Sequence, residues 1–146
     1  MIVADASIAL KWVVREPYST EARLLLGATL DANQAVIVPR LLPFEVLDSI
    51  YQRLRRGGVS VEQGKQLWAA FLAFPFDFVG LLGLHERALE IADAFGPRAA
   101  YDAHYVALAE ALGCDLWTDD QRLLRALGGA LPFVRWIGGY QPNGSV

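Results

Sequence analysis

The sequence predicts an α/β fold in which a mostly parallel sheet of about five strands lies between helices. Five short apolar runs alternate along the chain with longer segments whose apolar residues recur three and four positions apart. Strands that alternate with helices favour parallel pairing through right-handed crossovers. The 146 residues suit one domain with a single core, so we predict a single domain over 1–146, with a loose tail after about residue 139.

Each predicted helix is bounded by residues that favour a start or a stop. Pro17 interrupts the pattern before the second helix, and Pro43 is tolerated in the first turn of the third. Ser60 with Gln63 forms a capping-box pattern, and Gly113 is a typical C-terminal stop. The predicted helices lie at 7–14, 19–32 (from Ser19 or Thr20), 41–56, 60–74, 83–95 (from Gly83 or Leu84), 101–112 and 121–127.

The predicted strands are short apolar runs that end at a polar residue or a proline. The first ends at Asp5 and the second at Pro39, while the fourth is followed by two aspartates. Cys114 is expected to pack as a small apolar residue in the fourth strand. The predicted strands lie at 1–4, 35–38, 76–79, 114–118 and 133–136.

Composition excludes several classes of protein. An apolar fraction of 54% with 20% charged residues is not that of a disordered chain. A net charge of −3 gives no bulk basic signature, so a polyanion would have to be held by a local patch or through metal ions. One cysteine cannot form an internal disulfide and fits a reducing compartment. The start of the chain does not resemble a signal peptide, and no apolar run is long enough to span a membrane, so we expect a cytoplasmic protein.

Acidic residues recur where the predicted strands end and helices begin. Asp5 follows the first strand, and Asp119 and Asp120 follow the fourth. Glu45 and Asp102 lie early in helices, and in open α/β sheets ligands bind at the carboxyl ends of the strands. Carboxylates gathered in one cleft repel one another unless a cation lies between them, and Mg²⁺ and Mn²⁺ prefer such oxygen ligands. Taken singly, each acid could equally be an ordinary helix cap or first-turn residue.

Softer metal ligands are scarce in this chain. It has one cysteine and two histidines. His85 and His104 are far apart in sequence. His104 is two residues from Asp102, so the side chains of His104 and Asp102 point away from each other on their helix. We therefore interpret both histidines as residues that do not bind metal.

Four segments resemble the motifs of the PIN-domain ribonucleases, in particular the VapC-type toxins of bacterial toxin–antitoxin pairs. The resemblance extends over essentially the whole chain, in the order and spacing of that family. The segment at 101–113 is the most specific of the four. The segments are MIVADAS at 1–7, VPRLLPFEVLDSI at 38–50, YDAHYVALAEALG at 101–113 and LWTDDQRLL at 116–124.

This resemblance implies a three-layer α/β/α sandwich with an Mg²⁺- or Mn²⁺-dependent site that cuts RNA. It assigns the catalytic and metal-binding roles to Asp5, Glu45, Asp102 and Asp120. It also makes Ser7 and Thr118 supporting polar neighbours. Asp48 stands where asparagine is common in the family, so its role stays open.

The choice between the two adjacent aspartates also stays open at this point. One of them is expected to cap the helix that begins at Gln121, while the other turns into the cleft. The T-x-D pattern that begins at Thr118 favours Asp120 as the metal ligand, with Asp119 as the alternative.

The expected partners are an RNA substrate, such as tRNA or rRNA, a small cognate antitoxin and a second copy of the chain. Candidate contacts to RNA phosphates are Lys11, Arg15, Arg40 and Arg98. The aromatic and aliphatic surface of the two helices at 41–74 is mostly core, and its excess fits a hydrophobic groove covered by a partner.

Two other functions fit less well. A receiver-type phosphoacceptor domain would need two acids after the first strand and a lysine after a late strand. Only Asp5 follows the first strand, and neither Lys11 nor Lys65 is suitably placed. A PIN-fold protein with a non-catalytic RNA-binding role would be expected to lack one of the four acids, and none is missing.

Overall fold

Five parallel strands form the central sheet, as the sequence predicts. The computed structural model describes residues 1–97 and 99–142. In this part of the chain the strands lie in the order β3-β2-β1-β4-β5, and every neighbouring pair is parallel. The strands are β1 (Ile2–Ala4), β2 (Val36–Pro39), β3 (Phe76–Val79), β4 (Leu116–Thr118) and β5 (Val134–Trp136).

Helices flank this sheet and complete an α/β sandwich. They are α1 (Ala6–Val13), α2 (Ser19–Asp31), α3 (Leu42–Arg55), α4 (Val61–Leu72), α5 (Leu84–Phe95), α6 (Ala100–Leu112) and α7 (Gln121–Leu127). Helix α6 packs against β1, β2 and β4, and α5 packs against α6. Helix α1 packs against β1 and β4 and also contacts α2, α3 and α4.

Local signals set most of the helix boundaries. The capping box predicted for α4 is present, with Gln63 N donating to Ser60 Oγ (3.1 Å) and Ser60 N donating to Gln63 Oε1 (2.8 Å). Gly113 ends α6 in the left-handed conformation at φ 64°, which favours glycine.

The fourth strand begins two residues later than predicted. Cys114 N donates to Ala109 O (3.1 Å), so residue 114 still belongs to the end of α6 and β4 starts at Leu116. Cys114 is half-buried and packs against the core, as expected for a small apolar side chain, and burial raises the pKa of its thiol.

The strand order creates a switch point beside β1. The chain passes from β1 outward to β2 and β3, then returns to the other side of β1 to add β4 and β5. Connections therefore leave β1 and β4 in opposite directions, and this is where open α/β sheets form a ligand-binding crevice. Asp5 follows β1 and Asp119 follows β4, so both lie at this crevice.

The segment that follows β5 packs against the domain at first. A short 3₁₀ helix over Ile137–Gly139 buries Ile137 completely. Tyr140, the first residue of the predicted loose tail, lies edge-on to Trp117 with ring centroids 5.3 Å apart. The end of that predicted tail, 143–146, lies outside the described residues. Among the helices that the structure describes, none is long and apolar enough to cross a membrane.

Candidate active site

A cleft of about 1050 Å³ lies at the switch point of the sheet. Its walls come from the residues after β1 and β4 and from the first turns of α3, α6 and α7. All four acids predicted for the site line this cleft. The lining residues are Asp5, Ala6, Ser7, Leu41, Phe44, Glu45, Asp48, Ser49, Ala99, Tyr101, Asp102, Tyr105, Asp119, Asp120, Gln121, Arg122 and Arg125.

Asp5 is both the N-cap of α1 and a cleft residue. Its Oδ1 accepts hydrogen bonds from Ser7 Oγ (2.5 Å) and Ile8 N (3.2 Å). Only 6% of Asp5 is exposed, and burial raises its pKa to about 6, helped by the negative charge of Asp120. Hydrogen bonds from Ser7, Thr118 and Ile8 oppose this rise. A single side chain therefore both caps α1 and lines the cleft. Its ionised form is unfavourable for the folded protein unless a cation lies nearby.

Glu45 reaches the same cleft from the first turn of α3. The buried hydroxyl of Tyr105 on α6 donates to Glu45 Oε2 at 2.6 Å. The pKa of Glu45 is raised to about 7, mainly by desolvation and partly by the charges of Asp5, Asp102 and Asp120, against the lowering effect of the hydrogen bond from Tyr105. Because Glu45 is affected by the other three carboxylates, the four acids form one electrostatic cluster.

Asp120 combines two roles that the sequence analysis divided between neighbours. Its Oδ1 accepts from Arg122 N (2.8 Å) and Leu123 N (3.1 Å), which caps α7. Its own N–H donates to Thr118 Oγ1 (2.9 Å). Asp120 nevertheless lines the cleft and acts electrostatically on Asp5 and Glu45. One aspartate caps the helix as expected, but the two roles are not divided between the neighbours, because Asp120 both caps α7 and lines the cleft.

Asp119 also lines the cleft, but a cation already neutralises it. Its Oδ2 lies 2.7 Å from Lys11 Nζ. Its Oδ1 accepts from Trp136 Nε1 (2.9 Å), and its backbone N–H donates to Ser7 Oγ (2.8 Å). These contacts fix Asp119 as the partner of Lys11, which leaves Asp120 as the better fourth member of the acidic cluster.

The predicted RNA contacts are placed less favourably than the acids. Lys11 is only 4% exposed and is held by Glu16 and Asp119. It is therefore a buried ion-pair partner, which corrects its assignment as a phosphate contact at the cleft mouth. Arg15 and Arg40 are exposed but lie outside the cleft lining. Arg98 lies outside the described residues.

Several cleft residues were not predicted from the sequence. Tyr105 was not among the predicted site residues, although its position three residues after Asp102 puts both on one face of the helix. Arg122 and Arg125 come two and five residues after Asp120 and bring basic groups to the cleft from α7. Phe44 lines the cleft beside Glu45 and is 76% exposed. The sequence signal that could have identified these residues is their position close to the acids of the four motifs.

The donor set of the cleft suits a hard divalent cation. Within residues 1–97 and 99–142, no three His, Cys, Asp or Glu side chains form a preassembled metal cage. The clustered groups are all carboxylates, however, and the pKa values of Asp5 and Glu45 are raised, mainly by desolvation and to a lesser extent by the neighbouring negative charges. Mg²⁺ and Mn²⁺ favour oxygen ligands and would relieve that repulsion. The residues therefore fit such an ion.

The two histidines form a pair away from the cleft. His85 Nδ1 and His104 Nε2 are 2.8 Å apart, and His104 Nδ1 lies 2.7 Å from Ala100 O. The packing of α5 on α6 brings them together despite their distance in sequence. Neither lines the cleft.

Comparisons with known proteins agree with this fold. The PIN domain family model matches residues 2–128, so the chain belongs to the PIN-domain family. Within that family it is similar to ribonucleases of the VapC type, which confirms the resemblance inferred from the four motifs. PIN-domain nucleases of the VapC type generally depend on divalent metal ions.

Two curated relatives and one solved structure illustrate the similarity. The chain is 38% identical over 126 residues to VapC ribonuclease Mb0985 of Mycobacterium bovis, covering 84% of this chain and 88% of that one. It is 33% identical over 129 residues to ribonuclease VapC12 of Mycobacterium tuberculosis, covering 88% and 93%. The crystal structure of PAE2754 from Pyrobaculum aerophilum has the same fold, with a TM-score of 0.66 at 22% identity, covering 94% of this chain and 90% of that one.

Proposed function

We propose that this protein is an endoribonuclease that hydrolyses RNA phosphodiester bonds with a divalent metal ion and acts as the toxin of a toxin–antitoxin pair. The observation that carries the proposal is the convergence of Asp5, Glu45, Asp102 and Asp120 on one cleft at the switch point of the sheet. Membership of the PIN-domain family and similarity to VapC ribonucleases support the choice of RNA as substrate.

The carboxylates would hold Mg²⁺ or Mn²⁺, which supplies water activation and charge neutralisation at the phosphate. The protein's contribution is to fix its acids in place. Ser7 Oγ donates to Asp5 and also accepts from Asp119 N, so it joins the ends of β1 and β4. Tyr105 orients Glu45 through its hydroxyl. Asp48 also lines the cleft, exposed and one turn along α3 from Glu45, where it adds charge at the entrance.

A cleavage assay with the purified protein tests this function. Total RNA should be cut in Mg²⁺ or Mn²⁺ and left intact in EDTA, and the products should carry 5′-phosphate and 3′-hydroxyl ends. No histidine lines the cleft, so general acid–base chemistry of the metal-free ribonuclease kind lacks its usual groups there. Equal cleavage in EDTA, or products with 2′,3′-cyclic phosphates, would show that the mechanism is wrong. Mapping the cut sites would also show whether tRNA or rRNA is the target.

The surface that we assign to the antitoxin is the groove between α3 and α4. This apolar groove has a volume of about 240 Å³ and includes exposed Leu47, Tyr51 and Val61. An amphipathic helix of a partner could cover these side chains. Co-expression with the cognate antitoxin, to be sought in the neighbouring reading frames, should yield a complex, and Tyr51→Glu should weaken it without reducing RNA cleavage. A complex of unchanged stability would exclude this groove.

The homodimer also belongs to the proposed function. The free protein presents several large apolar side chains to solvent, including Leu72, Leu82 and Leu89, each more than half exposed. We take these exposed side chains as candidates for the contact between two copies of the chain. Sedimentation equilibrium of the toxin alone should give twice the 16.0 kDa chain mass. A single monomeric species at micromolar concentration would contradict the dimer.

A further inference from the structure

Two exposed aromatic side chains flank the acidic cleft. Phe44 is 76% exposed and Tyr101 is 62% exposed, and both line the cleft. Each directly precedes an acid of the cluster, Phe44 before Glu45 on α3 and Tyr101 before Asp102 on α6. Burial of such rings against neighbouring elements would be favourable. Their exposure at the rim of the cleft therefore points to a ligand with flat, apolar faces.

Two arginines occupy a third side of the same cleft. Arg122 and Arg125 are exposed on α7, one turn apart, two and five residues after Asp120. In the part of the chain that the structure describes, neither guanidinium forms an ion pair, whereas those of Arg53, Arg87 and Arg135 do. All other charged residues that line the cleft are acidic. The cleft thus offers two free cations beside a strongly negative centre.

We propose that these four residues form a binding track for single-stranded RNA, in which bases stack on Phe44 and Tyr101 while Arg122 and Arg125 hold the backbone phosphates. This inference rests on the proposed function and adds the residues that bind the substrate beside the acids. Stacking on aromatic rings needs unpaired bases, because the faces of paired bases are covered by their neighbours in a helix. The acids beside the rings then lie next to the phosphate that links the stacked nucleotides.

Charge complementarity favours RNA over an apolar partner at this surface. The acidic cluster alone repels a phosphate backbone, so the substrate needs cations close to the cut site. Arg122 and Arg125 provide them within the cleft itself, although the chain has a net charge of −3. The pairing of rings with arginines is the usual composition of surfaces that bind single strands.

Fluorescence anisotropy tests the track in the Asp5→Asn background with Mg²⁺, so that the RNA stays uncut. The probes are a short random-sequence single-stranded RNA, a duplex of the same length and the single strand with abasic sites. Phe44→Leu and Tyr101→Leu should each weaken binding of the single strand about fivefold or more and leave the abasic strand unaffected. Arg122→Gln and Arg125→Gln should weaken binding of both the normal and the abasic single strand. Each should also reduce the slope of log K against log salt concentration by about 0.7.

Two exposed residues outside the cleft lining provide matched controls. Phe78→Leu and Arg23→Gln should leave binding of both strands unchanged. Aromatic variants that bind the single strand like the parent, or that lose equal affinity for the abasic strand, would overturn the track. The duplex should bind more weakly than the single strand, and the reverse order would also overturn it.

A parallel cleavage assay separates this inference from the proposed function. If the wild-type protein cuts RNA in Mg²⁺ and the same four substitutions leave KM unchanged, the track is wrong and the ribonuclease function stands. If the wild-type protein cuts no RNA in Mg²⁺ or Mn²⁺ while the four variants still lose single-strand binding, the proposed function fails instead.

Discussion

Asp5 is kept in a position that is unfavourable for its charge, and that cost depends on pH. The unfolded carboxyl has a pKa near 3.8, whereas burial raises the folded value to about 6. A raised pKa means that the folded state binds more protons between these values, so stability without metal falls as pH rises from about 4 to 6. Above that range the ionised Asp5 lowers the free energy of unfolding by about 3 kcal/mol.

Asp5→Asn should remove this penalty and keep the hydrogen bonds that Oδ1 accepts. In EDTA the free energy of unfolding of the variant should match that of the wild type near pH 4 and exceed it by about 2–3 kcal/mol at pH 8. Urea unfolding at a series of pH values measures the difference. The exposed Asp93→Asn serves as the control. A difference that does not change with pH would contradict the burial of a charged Asp5.

The two adjacent aspartates should respond differently to neutralisation. Asp120→Asn keeps the cap of α7, because asparagine caps helices about as well as aspartate, but removes one charge from the acidic cluster. We expect Mn²⁺ affinity to fall by about tenfold or more, with a comparable loss of RNA cleavage. Asp119→Asn should lower Mn²⁺ affinity much less, since Lys11 already neutralises that group. Calorimetric titration with Mn²⁺ measures the affinity of both variants. An equal loss of Mn²⁺ affinity in the two variants would contradict the separate roles of Asp119 and Asp120.

At the scale of elements, a chain of charges joins α1, α3 and the end of β4. Lys11 Nζ on α1 lies between Glu16 (3.2 Å) and Asp119 (2.7 Å). Glu16 in turn receives Arg53 Nη2 of α3 at 2.6 Å. The buried ammonium therefore holds the loop after β4 against α1, which fixes the position from which Asp120 enters the cleft.

Lys11→Met should loosen this junction. Two carboxylates would remain without their shared cation, which costs about 2–3 kcal/mol, less than for a fully buried pair because Glu16 and Asp119 are partly exposed. The other lysine, Lys65, pairs with Glu62 on the exposed face of α4, and Lys65→Met should change stability by less than about 0.5 kcal/mol. Thermal unfolding of both variants measures this contrast. Equal effects would show that the network does not stabilise the fold.

The elements themselves were largely predictable because their signals are local. The capping box at Ser60 and the glycine stop at Gly113 lie within one turn of the boundaries that they set, and the parallel order follows from alternation of strands and helices. The carboxylates were predictable for the same reason, since each stands at the end of an element. Contacts between residues that are distant in sequence could not be predicted. Tyr105 meets Glu45 across 60 positions, and Lys11 reaches Asp119 only after the sheet has formed.

At the scale of the whole molecule, metal and proton compete for the same acidic cluster. An ion that binds only the folded state stabilises it by mass action, by about 2.7 kcal/mol at a hundred times its Kd. The cluster must lose protons to bind metal, and the pKa values of about 6 for Asp5 and about 7 for Glu45 put that loss between pH 5 and 8. Stabilisation by Mn²⁺ should therefore grow as pH rises.

The increase in Tm caused by Mn²⁺ at fixed concentration tests this competition. It should be small at pH 5 and several degrees at pH 8 for the wild type, because protons no longer occupy Asp5 and Glu45 at the higher pH. Glu45→Gln removes one titrating ligand. The increase in Tm that Mn²⁺ causes in this variant should therefore be smaller at pH 8 and should vary less with pH. Asp93→Asn should behave like the wild type. An increase of equal size at both pH values, or an unchanged one in Glu45→Gln, would mean that the ion binds elsewhere than at this cluster.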